Sequence, residues 1–290
     1  MKHLRLLATL ILFWPAGMQA QLMPPNAAGV SMGHLHYKVR DVAANKKFWT
    51  AVGAKPAKSI GDTTVMKFPD VLILLREGES SGGTEGSVVN HVGFRVPNVK
   101  QSLDKLKADG YKVELSSSGT GKVGNVFSPE GERIELLEDQ SVNVKFTPDA
   151  GSESRYTQPA KMTVPIRLHH IHFDVSQKAV PEIKAWYLKY FGGIPGKRHR
   201  SDEETYQAVD LPGVNLNISG VPEVFAPTKG RMLDHIGFEI KNLEAFCKKL
   251  QAAGVKFEKP YTKRETGISE AFLTDPWGTS IELTEGLTQF

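Results

Sequence analysis

The sequence predicts an α+β fold of four βαβββ units paired into two modules. Three observations carry that prediction. A six-residue pattern beginning with histidine recurs four times: His34-Leu35-His36-Tyr37-Lys38-Val39, His91-Val92-Gly93-Phe94-Arg95-Val96, His170-Ile171-His172-Phe173-Asp174-Val175 and His235-Ile236-Gly237-Phe238-Glu239-Ile240. Apolar and polar side chains alternate in each copy, as in a strand with one face toward a core. After each copy come a helical pattern and then short strand-like runs, so the repeating unit is strand, helix and about three strands.

In chain order, Lys2, His3 and Arg5 precede an apolar run from Leu6 to Trp14 that is too short for a membrane span. With Met18-Gln19-Ala20 as a cleavage site, residues 1–20 read as a secretory signal peptide, and the mature chain is expected to begin at Gln21 as a secreted or periplasmic protein; a retained N-terminal anchor is the alternative. In the first unit, Asp41 to Val52 is a helix ended by Gly53, followed by strand-like runs Thr63–Phe68 and Val71–Arg76. In the second, Asn98 caps a helix with Val99, Leu103 and Leu106 on one face, and Gly124–Phe127 and Arg133–Leu137 follow. Residues 139–166 are rich in Ser, Thr, Pro and charge and read as a linker. The third unit continues with a helix from Pro181 to Tyr190, then Thr205–Val209 and Val214–Ile218. In the fourth, Asn242 caps a helix bearing Leu243, Phe246, Cys247 and Leu250, before Glu270–Leu273 and Ser280–Leu283. The modules are thus expected at 31–138 and 167–286.

A formal net charge of +4 on 290 residues, with no basic-aromatic stripe, gives no reason to expect nucleic acid. Beyond the leader no apolar run is long enough to cross a membrane. The single cysteine, Cys247, excludes an internal disulfide and reads as a small core residue on a helix face.

The chemistry lies at the repeat positions. Units two and four both close on Ile-Glu-Leu, at Ile134-Glu135-Leu136 and Ile281-Glu282-Leu283. The chain therefore holds four equivalent histidines, His34, His91, His170 and His235, and two equivalent glutamates, Glu135 and Glu282. That makes two sets of two imidazoles and one carboxylate. Such a set suits a first-row divalent ion (Fe, Mn, Ni or Zn) with open coordination positions. His36 and His172 share the same faces two residues on, as substitute ligands or supporting groups. His169 falls on the opposite face and reads as structural. Gly78-Glu79-Ser80-Ser81-Gly82 fits a nucleophile elbow but has no helix behind it. Gly119-Thr120-Gly121-Lys122-Val123-Gly124 fits a dinucleotide fingerprint but runs into a strand; both read as loops. Lys197-Arg198-His199-Arg200, followed by Asp202-Glu203-Glu204, reads as a solvated loop.

Paired units with histidine on the first strand and Ile-Glu-Leu on the last resemble the vicinal oxygen chelate superfamily, which includes glyoxalase I, fosfomycin and bleomycin resistance proteins and extradiol dioxygenases. The resemblance implies two modules, each with a cupped eight-stranded sheet around a metal cavity. Ala271-Phe272-Leu273-Thr274-Asp275-Pro276-Trp277-Gly278 before Ile281-Glu282 is similar to the closing strand pair of glyoxalase I. The places of that enzyme's second carboxylate hold Leu74 and Asn217 here. The further His and Tyr of the extradiol signature fall on Ser269 and Phe272. Two ligand groupings follow from the resemblance. A within-module set joins His170, His235 and Glu282. A crossed set joins His34 with His235 and Glu282, and His170 with His91 and Glu135. The implied function is an exported divalent-metal enzyme acting on a small oxygenated molecule. The alternative is a metal-free binding protein of the bleomycin-resistance kind, which has no need of the repeated His and Glu.

Overall fold

A computed structural model describes residues 22–116, 121–139, 144–153, 156, 162–199, 205–222 and 225–290. The expected signal peptide and the glycine-rich stretch around Gly119 and Thr120 lie outside the described residues. Unit one is β1 (Val30–Val39), α1 (Val42–Val52), β2 (Lys55–Pro56), β3 (Thr64–Lys67) and β4 (Leu72–Glu77). Unit two is β5 (Val89–Val96), α2 (Val99–Ala108), β6 (Val113–Leu115), β7 (Val123–Phe127) and β8 (Arg133–Glu138). A short strand, β9 (Phe146–Pro148), comes next. Unit three is β10 (Arg167–Ser176), α3 (Val180–Phe191), β11 (Ile194–His199), β12 (Thr205–Leu211) and β13 (Val214–Val221). Unit four is β14 (Leu233–Ile240), α4 (Leu243–Ala252), β15 (Lys259–Lys263), β16 (Ser269–Thr274) and β17 (Ser280–Glu285).

The helices start where the sequence provides a side-chain acceptor for their unpaired N–H groups. Asp41, Asn98 and Asn242 accept from Ala44, Gln101 and Ala245, three residues on. No helix among the described residues is long and apolar enough to cross a membrane.

The first strands of the units pair antiparallel across the two halves of the chain. One sheet runs β15-β16-β17-β14-β1-β4-β3-β2 and joins units four and one. The other runs β6-β7-β8-β5-β10-β13-β12-β11-β9 and joins units two and three. This corrects the expectation of one sheet per sequence module. The modules are instead held together by packing. Phe94 of unit two lies 4.7 Å from Phe68 and 6.1 Å from Trp49 of unit one, by ring centroids. Phe191 of unit three lies 4.8 Å from Phe238 of unit four. The four units form a closed ring in which backbone pairing alternates with apolar packing. Ile236, Phe238 and Ile240 are buried on the core side of β14, as their alternation requires.

Two further expectations change. Residues 146–148, inside the expected linker, add an edge strand to β11. Lys197-Arg198-His199 is not a solvated loop but part of β11, and Arg198 is fully buried. Its guanidinium donates to the Val144 carbonyl and to His169 Nε2, and a buried charge is tolerated only with such partners.

Candidate metal centre

The pairing of β1 with β14 sets His34 opposite Gly237 and His36 opposite His235. Glu282 comes from β17, whose parallel register places it beside Gly237. The crossed grouping is therefore the one the fold brings together: His34, His235 and Glu282. Glu282 Oε2 lies 3.0 Å from His34 Nε2 and 2.9 Å from His235 Nε2. His34 is fully buried, and His235 and Glu282 are nearly so. His36 completes the cluster, its ring stacked on His235 at 4.3 Å and 29°. One donor atom from each of the four residues lies within 4.8 Å of all the others.

Gly237 makes this approach possible. A Cβ there would stand 2.0–2.4 Å from three atoms of the His34 ring. Gly93 leaves the same room for His170 in the other sheet. The repeat pattern reads His-x-His in units one and three and His-x-Gly in units two and four because each glycine accommodates an imidazole from the facing strand.

Charge is arranged for a cation. Asp234, beside His235, accepts from its Nδ1 at 2.7 Å, which leaves Nε2 directed at the cluster. Burial opposes a charged His235, but Asp234 and Glu282 outweigh it and bring the ring up to about 9. Burial likewise opposes the Glu282 carboxylate, yet His34 and His235 hold it well below the usual range. Burial, followed by the neighbouring His235 and His34 rings, pushes His36 well below the ordinary histidine value. The donor set fits a divalent ion. Two adjacent ligands bound at about 2.1 Å stand about 3 Å apart, close to the separation of Glu282 from each imidazole.

The cluster lines a cavity of about 690 Å³ whose walls come from β1, β4, β14, β16 and β17. Leu74, Ile268 and Phe272 form apolar wall, while Lys38 brings a cation and Glu270 a carboxylate held by Lys259 and Arg264.

The related cluster in the other sheet is built differently. His170 Nε2 lies 3.1 Å from His91 Nε2, and Glu135 Oε2 stands back at 3.5 Å from His170 and 3.6 Å from His91. His172 lies beside His91, with ring centroids 4.8 Å apart. Asn90 occupies the place of Asp234 and accepts from His91 Nδ1 at 2.7 Å. Arg133 donates to Asn90 and brings its guanidinium 3.2 Å from His91 Nδ1. Behind them His169 meets His170 at 2.8 Å and takes a hydrogen bond from Arg198. Burial, then His169 and His91, hold His170 well below its ordinary value; burial and Arg198 do the same to His169.

The sequence reading missed Asp234, Asn90, Arg133, Arg198 and the role of the glycines. The dipeptides Asp234-His235 and Asn90-His91 carried part of that signal. Cys247 is buried on α4, and burial pushes its thiol up to about 11, in keeping with a space-filling role.

Fold and site define a protein of paired βαβββ units that gathers imidazoles and a carboxylate on one face of a shared sheet. The chain belongs to the Glyoxalase/Bleomycin resistance protein/Dioxygenase superfamily, whose model matches residues 31–136 and 167–283. Among solved structures it is similar in fold to glyoxalase I from Zea mays, with a TM-score of 0.64 and 15% identity, over 88% of this chain and 92% of that one. A single-site variant of the same maize enzyme gives a TM-score of 0.65 at 14% identity, over 89% of this chain and 94% of that one. No curated protein matches this sequence.

Proposed function

We propose that this is an exported, divalent-metal-dependent enzyme that acts on a small oxygen-bearing molecule, with His34, His235 and Glu282 holding the ion. The observation that carries this reading is the convergence of three buried donors, from three strands of one shared sheet, on the wall of a cavity large enough for a small metabolite. When bound, the ion would supply Lewis acidity to a substrate oxygen. The chain's own groups do the rest. Asp234 fixes the orientation of His235. Leu74, Ile268 and Phe272 exclude water from one side of the substrate, and Lys38 meets negative charge. Leu74 and Asn217 stand where glyoxalase I would have its second carboxylate, so a four-ligand glyoxalase set of that pattern is not what this chain carries. Export follows from the composition of residues 1–20 and sets the reaction outside the cytoplasm, where reduced thiol cofactors are not maintained.

Elemental analysis of the purified chain, before and after reconstitution with iron, manganese, nickel or zinc, is expected to find at least one ion per chain. No ion under any of these conditions would sink the enzyme reading. Intact mass of the exported form is expected to correspond to a chain starting at Gln21; an uncleaved mass in the cell body would remove the export part alone.

A further inference from the structure

Resting on the reading that His34, His235 and Glu282 hold an ion, we propose that His36 is a fourth protein ligand, so that three imidazoles and one carboxylate hold this centre. The geometry already gathers four donors, one from each residue, within 4.8 Å. Opposite ligands of one ion bound at about 2.1 Å stand at most about 4.2 Å apart, so small side-chain rotations bring all four to a common centre. The His36 ring lies against His235 and reaches the cluster from the same end of β1 as His34.

The second observation is what His36 lacks. Its Nδ1 is buried and has no hydrogen-bond partner among the described residues. A buried imidazole nitrogen left unpaired is costly, and such atoms generally have a ligand, a water or an ion to satisfy them.

The related cluster shows what a partnered histidine at this position looks like. His172 occupies the place of His36, and its Nε2 lies 2.7 Å from Ser219 Oγ and 3.7 Å from Asp174 Oδ1. Those anchors come from a fixed register, in which His172 faces Asn217 and Asp174 faces Ser219 across β10 and β13. In β1 the same register gives His36 facing Leu74 and Lys38 facing Arg76. A leucine and two cations have no side-chain acceptor for an imidazole N–H. His172 stays within reach of His91 and His170 even so paired, and the acceptors that pair it have no counterpart beside His36. Three imidazoles suit iron, nickel, copper or zinc better than the oxygen-seeking ions. Four protein ligands leave a six-coordinate ion two places, enough for two oxygens of one substrate.

Copper(II) is the probe, added below one equivalent to the chain carrying His91→Ala and Glu135→Ala, so that the first cluster fills. Pulsed electron paramagnetic resonance, which counts coupled imidazoles through their remote nitrogens, is expected to find three. His36→Phe keeps a ring against His235 but removes the donor. It is expected to lower the count to two and weaken zinc binding at least tenfold in chelator competition. Two imidazoles in the starting chain, or three retained after His36→Phe, would overturn the proposal and leave the function reading standing. A starting chain that holds no copper and no zinc would overturn both. The count in the starting chain decides the matter even if the His36→Phe chain fails to fold.

Discussion

Asp234 and Asn90 stand beside equivalent histidines, and one negative charge separates them. A carboxylate behind a ligating imidazole raises its basicity and fixes its tautomer. Asp234→Asn is expected to weaken metal binding at the first cluster 10- to 100-fold, read by chelator competition, with little change in the unfolding midpoint. Gly237 makes a second, steric demand. A Cβ there meets the His34 ring at 2.0 Å, so Gly237→Ala should displace His34 and abolish tight binding at that cluster. Gly93→Ala serves as the comparison, since it strikes only the His170 side. Unchanged affinity in Gly237→Ala would mean that His34 is not a ligand. Glu132 illustrates a buried carboxylate outside the metal centre. It accepts from Thr84 N at 2.9 Å, yet burial outweighs that bond and pushes it up to about 7. A carboxyl whose folded value lies above its unfolded one binds more protons folded than unfolded between about pH 4.5 and 7. Stability should therefore fall as pH rises through that window, by up to about 3 kcal/mol from this group. Glu239, also brought up to about 7, acts with the same sign. Glu132→Gln should flatten the slope of unfolding free energy between pH 5 and 8, measured by urea titration; an unaltered slope would place the cause elsewhere.

At the scale of elements, the alternation of β14 and the asparagine caps of α2 and α4 were legible because they depend on neighbours in sequence. The repeated histidine position and the two Ile-Glu-Leu closings were likewise visible in the sequence, and the structure sets His36 and His172 beside those histidines. Arg198 was not legible. A run of Lys, Arg and His beside an acidic stretch carries the signature of a solvated loop, whereas the partners of the buried guanidinium, the Val144 carbonyl and His169 among them, lie far away in sequence. The edge strand β9 was hidden for a related reason, since its order comes from pairing with β11 rather than from its own composition. Cys247 on α4 was read correctly from its helical spacing. Cys247→Ser is expected to change stability by about 1 kcal/mol and leave metal content intact. Loss of bound metal in a folded Cys247→Ser chain would overturn the structural role.

At the scale of the molecule, the repeats could not tell the sequence which units share a sheet. All four first strands carry the same pattern, so several pairings look equivalent until register and packing choose between them. The observed pairing has a measurable consequence in double variants. In an otherwise unaltered chain, Glu282→Ala and Glu135→Ala should each weaken one cluster. Adding His34→Ala to Glu282→Ala should remove no further metal, because both changes strike one centre. Adding it to Glu135→Ala should empty the centre that remained. The reverse pattern would mean that ligands are shared within sequence modules. The same loss in both backgrounds would mean that His34 binds nothing.

The order of the units also carries a consequence for biosynthesis. The pairing is nested, with units two and three joined inside units one and four. At about 5–20 residues per second of translation, the 248 residues between His34 and Glu282 take about 12–50 s to make. During that interval β1 has β4 on one side and an open edge on the other, while the inner sheet can already close. A chain that stops short of the final strand carries every donor of the inner cluster but lacks Glu282 of the outer one. The outer donor set is thus complete only once synthesis has reached its last strand.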